Sequence, residues 1–253
     1  MIIDILSDGI CINGDSTSQE VFNSVLDITG AVPLIASDPP YGNIVDESWD
    51  KTKMSDVQFA EWMMKWTKIW KEALIPGGAF YVWGGLGIPG FRPFIKYLIL
   101  AEDQEFQLAN VVTWSKKRAY GVKHNYLYTR EELAYFVKGN SKKPATFNIP
   151  LLETKRGYSG YNPKYPAKSE FYRRTNVWMD VTEIFRGKDH PTQKAQRVVE
   201  IPIEVHTNPG NYVVDLFGGA GTTAHAARKL GRKFVLIEKD PQIYASMVER
   251  LKL

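Results

Sequence analysis

The chain has 253 residues, 44% of them hydrophobic and 24% charged, with a formal net charge of +4. This composition excludes a disordered or collagen-like protein, and no apolar stretch approaches the ~18 residues that a membrane span needs. The single cysteine, Cys11, excludes an internal disulfide and a cysteine-based zinc cluster, and together these features predict a cytoplasmic protein without a membrane partner.

The first predicted element is a short buried strand at residues 32–36, which runs into Asp-Pro-Pro-Tyr at 38–41. Proline cannot donate to a sheet ladder, so the strand must end there. Apolar residues at helical spacing from 59 to 73 then predict a helix, with Ser55 or Asp56 as its N-cap. We expect Pro76-Gly77-Gly78 to terminate this helix.

The chain continues with a predicted strand at 79–85, an apolar helix at about 89–100 and two strands, 106–116 and 132–139. Residues from about 139 to 189 lose periodicity and are rich in Lys, Arg, Pro, Gly and Tyr, which indicates a loop-rich insert. After it, a helix precedes the order strand, glycine loop, helix, strand, helix. This alternation predicts an α/β fold with a mainly parallel sheet flanked by helices, divided into residues 1–138, the insert 139–189, and 190–253.

Basic residues are concentrated in the segment 116–188, which carries 16 Lys and Arg against 6 Asp and Glu, while the rest of the chain has a net charge of −6. A solvated surface is one interpretation of such a segment. The other is a nucleic-acid interface, because neutralised phosphates release counterions on binding. The aromatic residues interleaved with these cations favour nucleic acid.

The sequence VVDLFGGAGTT at 213–223 ends a strand with Asp215 and turns on three glycines into a helix. Glycine permits both the tight turn and the close approach of a ligand to the main chain. Glu238 closes the next strand, where a carboxylate can accept from two ribose hydroxyls, so a nucleotide-like ligand is predicted at the carboxyl edge of the sheet. Residues 219–224 also fit the dinucleotide fingerprint, which keeps a nicotinamide or flavin site open, and a turn without a ligand is the third interpretation.

Residues 38–41 have a chemical interpretation if the substrate is the amino group of a nucleobase, a poor nucleophile because its lone pair is delocalised into the ring. Asp38 and the carbonyl of Pro39 can each accept an N–H and favour a pyramidal nitrogen, while Pro40 stiffens that carbonyl. Tyr41 offers a flat face worth roughly 1–3 kcal/mol of stacking, and a paired base must flip out to arrive there. A plain turn is the alternative interpretation.

Three motifs together resemble those of DNA amino-methyltransferases that use S-adenosylmethionine, specifically the N6-adenine kind. DPPY at 38–41 is similar to the catalytic motif, whose first residue is typically Asp in adenine enzymes and Ser in N4-cytosine enzymes. FGGAG at 217–221 resembles the cofactor loop, and HPTQKA at 190–195 is similar to the family's HPTQKP, with Ala195 in place of the last proline. Their order resembles the β-class, which implies a Rossmann-like methyltransferase sheet with a basic target-recognition insert.

By position, the resemblance implies that the catalytic residues hold and polarise the target amino group and that Glu238 binds the cofactor ribose. It also implies that Thr192 and Lys194 reach the cofactor carboxylate. The catalytic set is Asp38, Pro39, Pro40 and Tyr41; the cofactor set is Asp15, Thr192, Lys194, Asp215, Phe217, Gly218, Gly219, Gly221, Thr222, Thr223 and Glu238. The four histidines show no ligand spacing, and no metal is expected.

The implied activity is methyl transfer from S-adenosylmethionine to N6 of a flipped-out adenine in double-stranded DNA. The candidate DNA contacts are Lys116, Lys117, Arg118, Arg173 and Arg174. A homodimer and a cognate restriction enzyme are the further partners that the resemblance allows. An N4-cytosine or RNA methyltransferase and a catalytically idle nucleic-acid-binding module stay open as alternatives.

Overall fold

The computed structural model describes residues 1–41, 54–85, 87–121, 123–155, 169–182 and 194–252, and the side chains of residues 117, 118 and 120 are outside its description. The strands in these ranges are β1 (Ile2–Ile5), β2 (Gly9–Asn13), β3 (Val32–Ser37), β4 (Leu74–Gly84), β5 (Phe106–Tyr120), β6 (Tyr128–Lys138), β7 (Leu151–Lys155), β8 (Phe171–Arg173), β9 (Val177–Trp178), β10 (Tyr212–Asp215) and β11 (Lys233–Glu238). The helices are α1 (Gln19–Thr29), α2 (Asp56–Trp70), α3 (Gly87–Ala101), α4 (Gln196–His206), α5 (Thr222–Lys229) and α6 (Pro241–Lys252).

Nine strands form one sheet in the order β1-β2-β11-β10-β3-β4-β6-β5-β9. The five consecutive strands from β2 to β4 are parallel, whereas β1 and β6 run antiparallel to their neighbours. β5 pairs antiparallel with β6, and β9 lies parallel to β5 at the edge. The predicted mainly parallel α/β sheet is therefore confirmed.

Helices cover both faces of the sheet. Successive side chains of a strand point to opposite faces, so the apolar side chains on each face need a layer of helices to bury them. In β3, Leu34 and Ala36 are buried under α4, α5 and α6, while Ile35 is buried on the opposite face under α1, α2 and α3. The central strands are consequently apolar along nearly their whole length. None of the six helices in the described ranges combines the length and hydrophobicity that a bilayer crossing requires.

Helix α2 begins as the sequence predicts and ends earlier than expected. Ser55 is its N-cap in a capping box, since the Ser55 side chain accepts from the Gln58 backbone N–H and the Gln58 side chain accepts from Ser55 N at 2.9 Å. The helix ends at Trp70 and a 3₁₀ turn, Lys71–Ala73, follows. Residues 76–78 do not terminate it but lie within β4, where the register against β3 is irregular and Gly77 has a φ of 77°.

The described parts of the basic insert are tied to the main sheet. β7 and β8 form a separate two-stranded sheet, but β9 joins β5 and buries Trp178 in the core. Asn148 donates its backbone N–H to Val205 O in α4 at 2.8 Å. The division of the chain at residues 139 and 189 stays a prediction. Helix α4 carries Pro202 in its interior without interruption.

Candidate active site

A cleft of about 1450 Å³ opens at the side of the main sheet where the parallel strands have their carboxyl ends. Both the Asp-Pro-Pro-Tyr stretch and the glycine loop line it. The carboxyl ends of β3, β10 and β11 meet at this edge because the three strands are parallel neighbours. Asp38 follows β3, Asp215 ends β10, and Glu238 ends β11. β6 runs in the opposite direction, so its beginning, rather than its end, comes to the same edge.

We call the part of the cleft around Asp15, Asp215, residues 217–223 and Glu238 the loop end. Glu238 accepts from Gly219 N at 2.9 Å with one carboxylate oxygen and from Asp240 N at 2.9 Å with the other. Gly219 and Gly221 have φ values of 49° and 82°, a region that side chains disfavour. The loop backbone is therefore held open towards the cleft by the carboxylate that closes β11.

Asp215 is buried at the loop end and is held by its own loop. Its carboxylate accepts from Thr223 Oγ1 at 2.5 Å and from Phe217 N at 3.1 Å. Burial raises the pKa of Asp215 to about 7, with the nearby charges of Asp38 and Glu238 acting in the same direction. This carboxyl group therefore titrates near neutral pH, and a cationic ligand would favour its ionised form.

Asp15 also lines the cleft, between β2 and α1. One of its oxygens accepts from Thr17 N at 2.8 Å and from Thr17 Oγ1 at 2.7 Å, which fixes the turn into the helix. The other pairs with Lys239 Nζ at 2.8 Å. Asp15 after β2, Glu238 at the end of β11 and the open backbone loop after β10 thus follow three neighbouring strands, a donor and acceptor set that suits a ribonucleoside.

The part of the cleft around Asp38, Tyr41, Lys116, Glu131 and Lys194 we call the acid end. The Tyr41 hydroxyl lies 2.8 Å from Asp38 Oδ1 and 2.5 Å from Glu131 Oε1, and Lys194 Nζ donates to it at 2.6 Å. Lys194 also forms ion pairs with Asp38, at 3.1 Å, and with Glu131. Glu131 pairs through its second oxygen with Lys116.

The acid end is a charge-balanced network of two carboxylates and two lysines. The Glu131 side chain is 1% exposed and that of Asp38 is 32% exposed, so only Asp38 is open to a ligand. Burial alone would raise the pKa of Glu131, but the charges of Lys194 and Lys116 lower it below its ordinary value. Loss of hydration raises the pKa of Asp38, although the charge of Lys194 opposes this.

Tyr41 and Lys194 keep their protons within this network. Burial raises the pKa of the Tyr41 hydroxyl, and the charges of Asp38 and Glu131 raise it further. Burial would lower the pKa of Lys194, but the same two carboxylates raise it above its ordinary value. The tyrosine is therefore a hydrogen-bond donor and the lysine a cation.

Most of the predicted site residues line this one cleft. Those that do are Asp15, Asp38, Pro39, Pro40, Tyr41, Lys116, Lys194, Asp215, Phe217, Gly218, Gly219, Thr222, Thr223 and Glu238. Gly221 is the N-cap residue of α5, which starts from the same loop. Thr192 and the side chains of Lys117 and Arg118 lie outside the described residues.

Three cations have surroundings that differ from the predicted ones. Lys194, expected at the cofactor carboxylate, lies at the acid end against Asp38 and Glu131. Lys116, expected at DNA, belongs to the same network. The Arg174 guanidinium pairs with Asp180 at 2.6 Å and its side chain is 5% exposed. Arg173, by contrast, is exposed and packs over the ring of Phe147.

Sequence reasoning missed Glu131, since a carboxylate within a basic segment looks like a counter-charge on the surface. A usable signal is its place near the start of a strand that pairs antiparallel with β4, because that register brings it to the edge where β4 ends. Trp114, opposite Glu131 in the ladder, and Trp83 in β4 also line the cleft.

A parallel sheet with a glycine loop after one strand and acids at the ends of two neighbouring strands has the geometry of a nucleotide-binding site of the α/β class. A family model described as DNA methylase, of the N6 and N4 methyltransferases, matches residues 32–249. The chain belongs to this family, which confirms the DNA methyltransferase family that the motifs predict, while the β-class order and the adenine kind stay predictions.

The chain is also similar to two type II methyltransferases over most of its own length. The chain is 26% identical to the type II methyltransferase M.BamHI of Bacillus amyloliquefaciens over 89% of its own length but only 53% of that protein, so it spans about half of this relative. It is 27% identical to M2.DpnII of Streptococcus pneumoniae, covering 88% of this chain and 83% of the relative.

Two solved structures share the fold at low identity. The M1.HpyAVI complex with SAM has a TM-score of 0.66 at 22% identity and covers 96% of this chain and 98% of its own. The cytosine-N4-specific PvuII DNA methyltransferase has a TM-score of 0.71 at 20% identity and covers 96% and 86%, respectively. Because a cytosine-specific enzyme is among these neighbours, the choice of adenine stays a prediction.

Proposed function

We propose that this protein transfers a methyl group from S-adenosylmethionine to N6 of an adenine that has flipped out of double-stranded DNA. One observation carries the proposal: the Asp-Pro-Pro-Tyr stretch and the glycine loop, which lie 176 or more residues apart in sequence, line a single cleft. A dinucleotide site would use the loop end and leave the acid end without a role.

The loop end fits the cofactor by its chemistry. The open backbone at residues 218–221 and the acids Asp15 and Glu238 suit a nucleoside, and Asp215 suits the cationic amino group of its amino-acid portion. A Cβ on Gly218 would lie 2.9 Å from Met247 Sδ and 3.1 Å from Leu236 Cβ, so the loop is packed as tightly as glycine allows. When bound, S-adenosylmethionine supplies the methyl group on a sulfonium.

At the acid end, the residues of this chain activate the attacking nitrogen. Asp38 and the Pro39 carbonyl accept the two N–H groups, and the Tyr41 hydroxyl orients the Asp38 carboxylate. As the C–N bond forms and the C–S bond breaks, positive charge develops on nitrogen, and Asp38 stabilises it from a fixed position. The nitrogen then gives up one proton, for which Asp38 is the acceptor, since Glu131 is buried and held by two lysines.

DNA is the proposed substrate because of the basic charge of the insert and because the relatives are type II methyltransferases. The basic, aromatic insert supplies cations for phosphates, with Arg173 the exposed candidate, and a base must leave the duplex to enter a cleft of this depth. The type II methyltransferase relatives favour a role in restriction and modification. A homodimer and a cognate restriction enzyme stay predictions.

Cytosine is the second candidate for the target base, favoured by the similarity to the cytosine-N4-specific PvuII enzyme. Asp as the first motif residue favours adenine. The experiment is incubation of the protein with S-adenosylmethionine and unmethylated genomic DNA, followed by nucleoside mass spectrometry. We expect N6-methyladenine. N4-methylcytosine would overturn the choice of base, and the absence of any methylated nucleoside would overturn the activity.

A further inference from the structure

We propose that Lys194 holds the position of the target amino group until the base arrives, and that Glu131 is the positioning residue that draws the lysine ammonium away from Asp38. This inference rests on the proposed function and adds to it a role for a carboxylate that no motif contains. Glu131 touches neither the base nor the cofactor; it acts through Lys194.

The first step is the position of Lys194. Its Nζ lies 3.1 Å from Asp38 Oδ1 and 2.6 Å from the Tyr41 hydroxyl, and 5.0 Å from the centroid of the Tyr41 ring. A bound amino group would need the same acceptor on Asp38 and the same approach over the Tyr41 face. The ammonium and the amino group therefore compete for one carboxylate, and the ammonium must withdraw before transfer.

The second step is the partner that receives the ammonium. Glu131 lies on β6, opposite Trp114 in the ladder, and one of its oxygens already pairs with Lys194 while the other pairs with Lys116. Its side chain is 1% exposed, so water cannot replace these partners. When the base takes the Asp38 oxygen, Lys194 keeps a full counter-charge on Glu131. Without the Glu131 charge, the remaining carboxylate partner of Lys194 is Asp38. The ammonium would then compete more strongly with the base for the Asp38 oxygen.

The third step is a comparison with the adjacent residue. Glu132 is also a buried carboxylate on β6, with a side chain 4% exposed, and it pairs with Arg130 at 3.1 Å and accepts from Thr113 Oγ1 at 2.7 Å. It does not line the cleft. Glu132→Gln therefore removes a comparable buried charge from the same strand without touching the Lys194 network.

The test compares Glu131→Gln with Glu132→Gln in single-turnover methyl transfer to unmethylated genomic DNA. We expect Glu131→Gln to slow transfer by about 10- to 100-fold while S-adenosylmethionine affinity, measured by calorimetry, stays within about threefold. Glu132→Gln should stay within about threefold in both measurements. Equal losses in the two variants would overturn the inference, because they would indicate a loss of buried charge alone.

A pH profile gives a readout that a structural role would not move. Among the described residues, the charged or titratable groups that face Glu131 are Lys116 from β5, Lys194 before α4, and Asp38 and Tyr41 after β3. The Glu131 charge raises the pKa of Asp38, so its removal should shift the acidic limb of the transfer rate to lower pH even as the maximum falls. An unshifted limb would contradict the inference.

A double-mutant cycle with Lys194→Met completes the design. If Glu131 acts through Lys194, adding Glu131→Gln to Lys194→Met should cost less than about threefold. Additive losses would overturn the inference. Should Glu131→Gln fail to fold, Glu131→Asp keeps the charge with a shorter reach, and an intermediate loss is expected; no loss would contradict the role. An inactive wild-type protein would instead overturn the proposed function, and so the two failures are distinguishable.

Discussion

At the loop end of the cleft, the contacts come mostly from one stretch of chain and from backbone N–H groups, such as those of Gly219 and Phe217 on Glu238 and Asp215. At the acid end, the contacts are between charged side chains from four separate segments, with Glu131 between two lysines. A backbone cradle presents the same donors to any nucleoside that fits it. A side-chain network can rearrange its ion pairs, which suits the end where a large substrate enters and one atom reacts.

This contrast predicts that the two ends fail differently. Replacing a residue of the acid end should remove chemistry and spare cofactor binding, and replacing a residue of the loop end should do the reverse. Substitutions at each end of the cleft test that separation.

Asp38→Ala should reduce methyl transfer by about 10²–10⁴-fold, because the nitrogen loses both its charge stabilisation and its proton acceptor. Calorimetric affinity for S-adenosylmethionine should be retained. Asp103→Ala is the matched control, since its carboxylate pairs with Lys71 at the surface at 2.8 Å, away from the cleft. Full transfer activity of Asp38→Ala would contradict the catalytic role of this carboxylate.

Glu238→Gln should weaken S-adenosylmethionine binding by about 10- to 100-fold, because a charged acceptor of Gly219 N and of the ribose is lost. At saturating cofactor the transfer rate should recover to within about threefold. The measurement is a titration of initial rates against cofactor concentration. A lower transfer rate at saturating cofactor, with unchanged affinity for S-adenosylmethionine, would contradict the separate roles of the two ends of the cleft.

Cofactor affinity should rise between pH 6 and pH 8. Burial raises the pKa of Asp215 to about 7, so this group is largely neutral at pH 6 and ionised at pH 8, and a cationic ligand prefers the ionised form. The linked change is at most about tenfold per pH unit. Calorimetry in two buffers of different ionisation enthalpy should detect proton release on binding.

Asp215→Asn is the control for that pH dependence. It should flatten the affinity profile, and it should raise the melting temperature more at pH 8 than at pH 4, because the destabilisation by this buried acid grows from its ordinary pKa of 3.8 up to its folded-state pKa of about 7. An unchanged slope of cofactor affinity against pH in the variant would mean that another group titrates in this range.

Arg173→Ala should have the smallest effect, a several-fold loss of DNA affinity with the slope of log affinity against log salt reduced by about 1. Arg174→Ala should leave that slope unchanged and lower stability instead, since its guanidinium pairs with Asp180. Filter binding at several salt concentrations and thermal melting separate the two. Equal salt slopes for both variants would remove Arg173 from the DNA interface.

The same contrast explains what the sequence could predict. The loop end could be predicted because its glycines follow, and Asp215 and Glu238 end, strands that the apolar pattern indicates. The carboxyl ends of parallel strands lie at the same side of a sheet, which brings these residues together. At the acid end, the sequence predicts only the role of residues 38–41, where Asp, two prolines and Tyr form an unusual local combination. The positions of Glu131, Lys116 and Lys194 depend on the antiparallel register of β6 and on the approach to α4, which no local pattern encodes.

Smaller differences have similar causes. Ser55 was predictable as an N-cap because capping is a local interaction. Pro76-Gly77-Gly78 favours a helix end because such residues stop helices, yet these residues lie in β4, where Gly77 O accepts from Ala145 N at 2.8 Å. A contact between distant parts of the chain decided that segment.

A crystal structure of the protein with S-adenosylmethionine would show whether the two ends of the cleft serve one reaction. We expect the nucleoside along Asp15, Glu238 and the glycine loop, with the methyl carbon directed towards Asp38 and space for an amino nitrogen about 3–3.5 Å from that carbon. A cofactor bound outside this cleft, or one whose methyl group points away from Asp38, would contradict the proposed methyl transfer at Asp38.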